Sequence, residues 1–195
     1  MRIIDITAPL GAGTPTYPGD PPVEVIPLPL SDGFAVSRVT FGSHAGTHVD
    51  PPVHLLPGGR TVDELPLTTL IGPTVLAEVT LGAGGAVEPA SLARLPRARR
   101  VLLRTGGAPL SEEAARLLVR RGVRLVGVDG LSVAPLTDPA PVHQILLQAG
   151  VIIVEGLALA GVTPGRYRLI CLPLLLERGD GSPVRAVLIE RPNRR

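Results

Sequence analysis

Twenty-two prolines and 23 glycines are scattered along this 195-residue chain without a regular period, and they read as many tight turns between short strands. Proline removes a backbone donor and fixes φ, while glycine frees the backbone to turn. Long uninterrupted elements are therefore not expected. Apolar residues make up 45% of the sequence and charged residues 18%, which suits one buried core and argues against disorder. No repeat, low-complexity tract or Ser-rich linker divides the chain. Residues 1–195 are read as a single domain.

Residues 34–41 and 74–81 are rich in β-branched side chains and predict strands; 101–105 reads as a short buried strand. Ser111 then opens a helix, with Glu112 and Glu113 in its first turn, Arg120 and Arg121 in its last, and Gly122 placed to end it. Those charges complement the helix dipole. Residues 123–128 predict a strand ending at Asp129. Pro141 and Gly150 bracket a helix over about 141–149. Further strands are expected at 151–155, about 167–172 and 184–190. Strands dominate, and the middle third alternates strand and helix, so the fold class is mixed α/β with a partly parallel sheet.

Several function classes are disfavoured by composition. The longest apolar stretch, around 169–176, contains Pro173 and falls short of the roughly 20 residues that span a bilayer. Asp5 stands where a signal peptide would carry its apolar region. A soluble, cytoplasmic protein with no membrane partner is expected. Cys171 is the only cysteine and is read as a buried strand residue; a disulfide within the chain and a thiolate metal cage are both excluded. Every basic residue is Arg, and the net charge is +2, too small to imply an acidic partner. Nine arginines fall between Arg94 and Arg124, but no aromatic residue is interleaved with them. They read as a solvated helix face and its flanks, not as a nucleic-acid surface.

The chain has four histidines, and three of them fall in the segment His44-Ala-Gly-Thr-His48-Val-Asp50-Pro-Pro-Val-His54. Imidazole and carboxylate are the usual ligands of zinc and similar ions. The spacing of His44 and His48 is that of helical zinc proteases, but Gly46 and Pro51-Pro52 make a continuing helix improbable, so the segment is strand or loop. In an extended chain His48 and Asp50 have Cα atoms roughly 7 Å apart on one face, whereas His44 and His48 are about 13 Å apart. The chain must bend for both histidines to reach one ion, and Ala45-Gly46 supplies the bend. Three protein ligands leave positions open for water, as in a catalytic site. His54, beyond the stiff Pro-Pro pair, is the candidate to move protons instead of holding the metal. A structural metal site or a polar hairpin is the other reading of these residues.

The pattern His-x-Gly-Thr-His-x-Asp-x-Pro-x-His resembles the metal-dependent cyclase family, whose best-known members are bacterial kynurenine formamidases. The likeness extends to Asp5-Ile-Thr-Ala-Pro-Leu10, similar to that family's opening strand, and to Thr14-Pro-Thr-Tyr-Pro-Gly-Asp20, similar to its substrate-side loop. Residues 121–129, His143-Gln144, Glu155-Gly-Leu157, 169–174 and 180–188 resemble later segments. The resemblance covers almost the whole chain. It implies a compact α/β domain with a β-barrel-like mixed sheet and few helices, forming a homodimer.

Carried over, it also implies two divalent metal ions, zinc in the first place and manganese as the alternative. His44, His48 and Asp50 would hold one, with Asp50 bridging to a second held by His143 and Glu155; His54 would be the acid/base. The implied reaction is hydrolysis of N-formyl-L-kynurenine, or a related small aryl formamide, to the amine and formate in tryptophan catabolism. A sister hydrolase of another amide, lactam or lactone, of the isatin-hydrolase kind, is the first alternative. A non-catalytic metal- or nucleic-acid-binding module, showing affinity without turnover, is the alternative from another class. The family's loop usually has Trp where this chain has Tyr17, and Gly130-Leu-Ser-Val-Ala134 stands where formamidases more often show a Pro and an Asp. Both departures bear on the substrate. Tyr17 is the candidate aromatic wall for an aryl substrate; a surface tyrosine capping the sheet is the other reading.

Overall fold

A computed structural model of the chain describes residues 1–29 and 33–190. Its strands are β1 (Arg2–Asp5), β2 (Glu24–Pro27), β3 (Ser37–Thr40), β4 (His48–Asp50), β5 (Ile71–Glu78), β6 (Arg100–Arg104), β7 (Leu125–Val128), β8 (Ile152–Glu155), β9 (Gly165–Pro173) and β10 (Ser182–Glu190). The helices are α1 (Leu67–Leu70), α2 (Glu112–Arg120) and α3 (Ala140–Gln148). Eight strands form one sheet in the order β1-β10-β4-β8-β7-β6-β5-β9, and β9 pairs back onto β10. That last pairing closes a seven-strand barrel, with β1 continuing the β10 edge outside the ring. β5 to β8 run parallel, and the remaining pairs are antiparallel. β2 and β3 form a separate hairpin whose residues are all exposed.

Alternation along the short apolar strands produces two cores. Leu102, Leu125, Ile152, Val154, Val49, Leu169, Ala186 and Leu188 fill the barrel. Their sequence neighbours Val101, Leu103, Val126, Val128 and Ile153 point outward and pack under α2 and α3 with Leu118, Leu146 and Leu147. Each such side chain contributes about 1.5–3 kcal/mol by leaving water, so α3 is held firmly against the β7–β8 wall. The barrel is tight at Gly127, where a Cβ would meet Leu102 Cδ2 at 2.5 Å and Leu157 Cδ1 at 2.7 Å.

α2 and α3 follow their sequence signals. Ser111 Oγ accepts from the Ala114 N–H at 3.2 Å to cap α2, and α3 begins at Ala140 with Pro141 in its first turn. The strands depart more. β5 begins at Ile71, earlier than its β-branched run suggests, because pairing with β9 carries through Gly72 and Pro73. β3 is confined to Ser37–Thr40, leaving Phe34 and Val36 exposed. β1 lies at Arg2–Asp5, and Thr7 beyond it makes an isolated bridge to Leu157 and ties to Ala186 through its hydroxyl. Among the described residues, no helix is long and apolar enough to cross a membrane.

Candidate metal centre

β4 and β8 pair antiparallel with His48 opposite Glu155 and Asp50 opposite Ile153. Val49 and Val154 point into the barrel, so His48, Asp50 and Glu155 share the outer face. That face lies beneath α3, which supplies His143. The bend before β4 falls at Gly46, whose φ of 63° lies in the left-handed region. Gly156 follows Glu155 and passes so close to this bend that a Cβ on it would collide with the Gly46 carbonyl. Thr47 locks the crossing, its hydroxyl donating to the Gly156 carbonyl at 2.6 Å and accepting from the Ala8 N–H at 2.8 Å. The bend returns His44 to Asp50, with Nδ1 2.8 Å from Oδ1.

His54 reaches the site through a turn and not along β4. Pro51-Pro52 ends β4, and Pro52–His54 forms a single 3-10 turn that swings the imidazole back over the site. Its ring centroid lies 4.1 Å from that of His44 and 5.8 Å from that of His143. The structure thus brings together His44, His48, Asp50, His54, His143 and Glu155.

The distances suit metal coordination. Donors about 2.1 Å from a tetrahedral ion lie roughly 3.4 Å from one another. His48 Nε2 is 3.3 Å from Asp50 Oδ1 and 3.4 Å from Glu155 Oε2; His143 Nε2 is 3.4 Å from Glu155 Oε1 and 3.7 Å from Asp50 Oδ2. The ring nitrogens pointing away are held by the backbone: His48 Nδ1 lies 2.9 Å from the Gly46 carbonyl and His143 Nδ1 2.8 Å from that of Pro139. Such contacts orient ligating histidines. Asp50 Oδ2 and His44 Nε2 are buried without a hydrogen-bond partner, an arrangement that costs about 1–3 kcal/mol per group unless something else satisfies it. The donor set and its orphaned atoms fit divalent cations.

Charge reinforces the arrangement. Burial opposes ionisation of Asp50 and Glu155, but the imidazoles of His48, His143 and, for Asp50, His44 outweigh it. Both carboxyls lie below their ordinary values, Asp50 well below. Burial likewise opposes the His143 imidazolium, yet Asp50 and Glu155 hold it up at about 10; the same two carboxylates raise His48 well above 6.5. His54 moves the other way. Burial lowers it, and the charges of His44 and His143 add to that against the pull of Asp50.

The centre forms the floor of a cavity of about 260 Å³. Its walls are Leu55, Leu131, Pro139 and Ala140 with Tyr17, Asp20 and Ser132, an apolar slot with few polar groups. Tyr17 lines the slot, and its hydroxyl donates to the Leu136 carbonyl at 2.9 Å. Three other features escaped sequence reasoning, and the substrate-side segment adds a fourth side chain to the wall. The Val133 N–H donates to Glu155 Oε1 at 2.6 Å. Asp180 Oδ2 lies 3.7 Å from His44 Nε2, and Gly181 packs against the His44 ring. Asp20 stands on the cavity wall. The Gly179-Asp-Gly181 tripeptide was the only local signal for two of these, a tight turn carrying a carboxylate.

The model of the Cyclase family, described as "Putative cyclase", matches residues 4–135. The chain belongs to the Cyclase family. Among relatives, a protein named kynurenine formamidase from Salinibacter ruber is 37% identical, with 99% of this chain and 100% of that protein covered. A second of that name, from Bacillus cytotoxicus, is 38% identical over 95% of this chain and 96% of its own. A solved structure described as a predicted metal-dependent hydrolase from Bacillus stearothermophilus superposes with a TM-score of 0.86 at 32% identity, covering 97% of this chain and 98% of that one. Isatin hydrolase A from Labrenzia aggregata shares the fold, with a TM-score of 0.83 at 24% identity over 97% and 94% of the two chains. The mixed barrel with few helices is thus the family architecture.

Proposed function

We propose that this Cyclase-family chain is a metal-dependent amidohydrolase of aryl formamides, with N-formyl-L-kynurenine as its first substrate. The observation that carries the reading is the posture of Asp50. One carboxylate oxygen faces His44 and His48 and the other faces His143, the arrangement of a ligand shared by two cations. The full-length likeness to proteins named kynurenine formamidase supports the substrate.

In this reading His44, His48 and Asp50 would hold one ion, and Asp50, His143 and Glu155 a second. Zinc suits the all nitrogen–oxygen set best, with manganese as the alternative. When bound, the ions supply Lewis acidity that polarises the formyl carbonyl and lowers the pKa of water. The chain supplies the rest. The aryl ring enters the slot between Tyr17, Leu55 and Leu131, which shields the reacting carbonyl from bulk solvent while leaving the floor open to the one water that reacts. His54, its pKa lowered, stands at the floor as a neutral base that takes the proton of the attacking water and returns it to the departing aryl amine. The C–N bond breaks, releasing formate and the amine. Residues 1–195 act as one unit, and we propose a homodimer that covers the exposed apolar side chains of the β2–β3 hairpin.

The test is a steady-state assay with N-formyl-L-kynurenine on protein of measured metal content. Turnover that chelation abolishes and divalent ion restores is the expected result. Turnover of isatin with none of the formamide would move the assignment to a lactam hydrolase, and metal binding without turnover of either would end the enzymatic reading.

A further inference from the structure

The turn Tyr17-Pro-Gly-Asp20 places two different side chains on the cavity wall. Proline followed by a glycine in the left-handed region is the sequence of a type II turn. Gly19 has φ of 98°, and the Asp20 N–H donates to the Tyr17 carbonyl at 3.0 Å. Both ends of the turn line the cavity. Tyr17 is pinned through its hydroxyl to Leu136. Asp20 is half-buried and takes part in no ion pair among the described residues.

Among the described residues, the basic groups that line the cavity are the histidines of its floor, and none stands on the wall beside Asp20. The cavity's lining above the histidines is otherwise apolar or neutral, no arginine lines it among the described residues, and the chain contains no lysine. The wall therefore offers one acidic group and no basic one. A carboxylate at the rim of an apolar slot attracts an ammonium by a charge-assisted hydrogen bond and repels an anion.

Resting on the formamidase reading, we propose that Asp20 is a specificity-determining residue that selects aryl formamides bearing a primary ammonium group on the side chain next to the formamide. The α-ammonium of N-formyl-L-kynurenine meets this requirement, and its α-carboxylate stays in solvent without a partner. The recognised class is thus a cationic aryl formamide, with or without the acid group.

Three substrates tested on the metal-loaded enzyme separate the possibilities: formanilide, a formanilide with an ortho aminoalkyl ketone chain, and one whose chain ends in a carboxylate and lacks the amine. The enzyme is expected to prefer the amine-bearing compound over formanilide by about tenfold in kcat/KM, the scale of one charge-assisted hydrogen bond. Most of this is expected in KM, and the carboxylate compound should be the poorest substrate. In Asp20→Asn the amine preference should collapse towards one, and Asp20→Glu should restore part of it. Equal turnover of all three compounds by the parent, or an undiminished preference in Asp20→Asn, would overturn this inference alone. A parent inactive on all three removes the formamidase reading and this inference with it.

Discussion

His48 and Glu155 stand directly opposite each other across β4 and β8, with His48 Nε2 3.4 Å from Glu155 Oε2. This register fixes the composition of the centre. A slip of one residue would turn His48 and Asp50 into the barrel and bring Val49 out. The crossing of Gly46 under Gly156 blocks that slip, because the two backbones are already in contact.

Asp50 is the residue whose loss should matter most for metal. We predict that Asp50→Ala leaves both ions weakly held, whereas His143→Ala loses chiefly one. Metal content by elemental analysis after gel filtration decides this. Equal losses in the two variants would argue against a shared ligand.

His54 behaves differently on this account. His54→Ala is predicted to lower kcat by roughly 10²–10⁴-fold, the usual contribution of a general acid or base, with metal content nearly unchanged. Loss of an ion in that variant would reassign His54 to coordination, a role its proximity to Asp50 and His143 permits.

Protonation should compete with metal. The His143 pKa is raised from 6.5 to about 10, so its contribution to folding is complete below 6.5 and is lost as pH rises towards 10. Asp50 is lowered from 3.8, so its contribution is present above that value and is lost as pH falls through its folded pKa. The chelated protein is therefore predicted to melt at lower temperature at pH 9 than at pH 6. Metal binding should release protons and tighten as pH rises. Melting curves and proton release in two buffers of different ionisation heat test both signs; a chelated protein more stable at pH 9 would refute the assignment.

Gly181 offers a test by crowding. A Cβ there would stand 2.5–2.9 Å from three atoms of the His44 ring. Gly181→Ala is predicted to displace that imidazole and weaken metal binding by at least about tenfold, with little change in melting temperature of the chelated protein. Unaltered affinity would show that His44 is not a ligand.

Tyr17 tests the aromatic wall. Tyr17→Ala should weaken turnover of aryl formamides more than that of small aliphatic ones, by roughly the 0.5–1.5 kcal/mol of an aromatic contact. Tyr17→Trp should preserve turnover of N-formyl-L-kynurenine. Identical kinetics in both variants would remove Tyr17 from substrate contact.

The parts of the centre closest in sequence were the easiest to read. The two-residue spacing of His48 and Asp50 gives one strand face, and the excess distance to His44 demands the bend found at Gly46. His54 was legible as a residue but not as a geometry, because the Pro-Pro pair marks the end of the strand without fixing the 3-10 turn that follows Pro51. His143 and Glu155 were reached through family resemblance. Nothing local distinguishes a ligand at the end of an apolar strand from an ordinary terminal carboxylate. The closure of β9 onto β10 and the approach of Asp180 to His44 are contacts between distant segments, and no window of sequence contains them. Asp20 was legible as the end of a Pro-Gly turn in a segment that resembles the family's substrate-side loop. Its place on the wall depends on where that turn docks.

Thr47 and Gly156, which lock the crossing beneath the centre, are 109 residues apart in the chain. Contacts of such long range form late, because their loop entropy must be overcome before they stabilise anything. We therefore predict that the centre is completed late in folding and is not its nucleus. During synthesis the His44–His54 segment emerges long before Glu155, and it has no second set of ligands to close with. Metal ions should accordingly slow unfolding while leaving the refolding rate almost unchanged. Refolding that accelerates in proportion to added zinc would show instead that the ion gathers the strands.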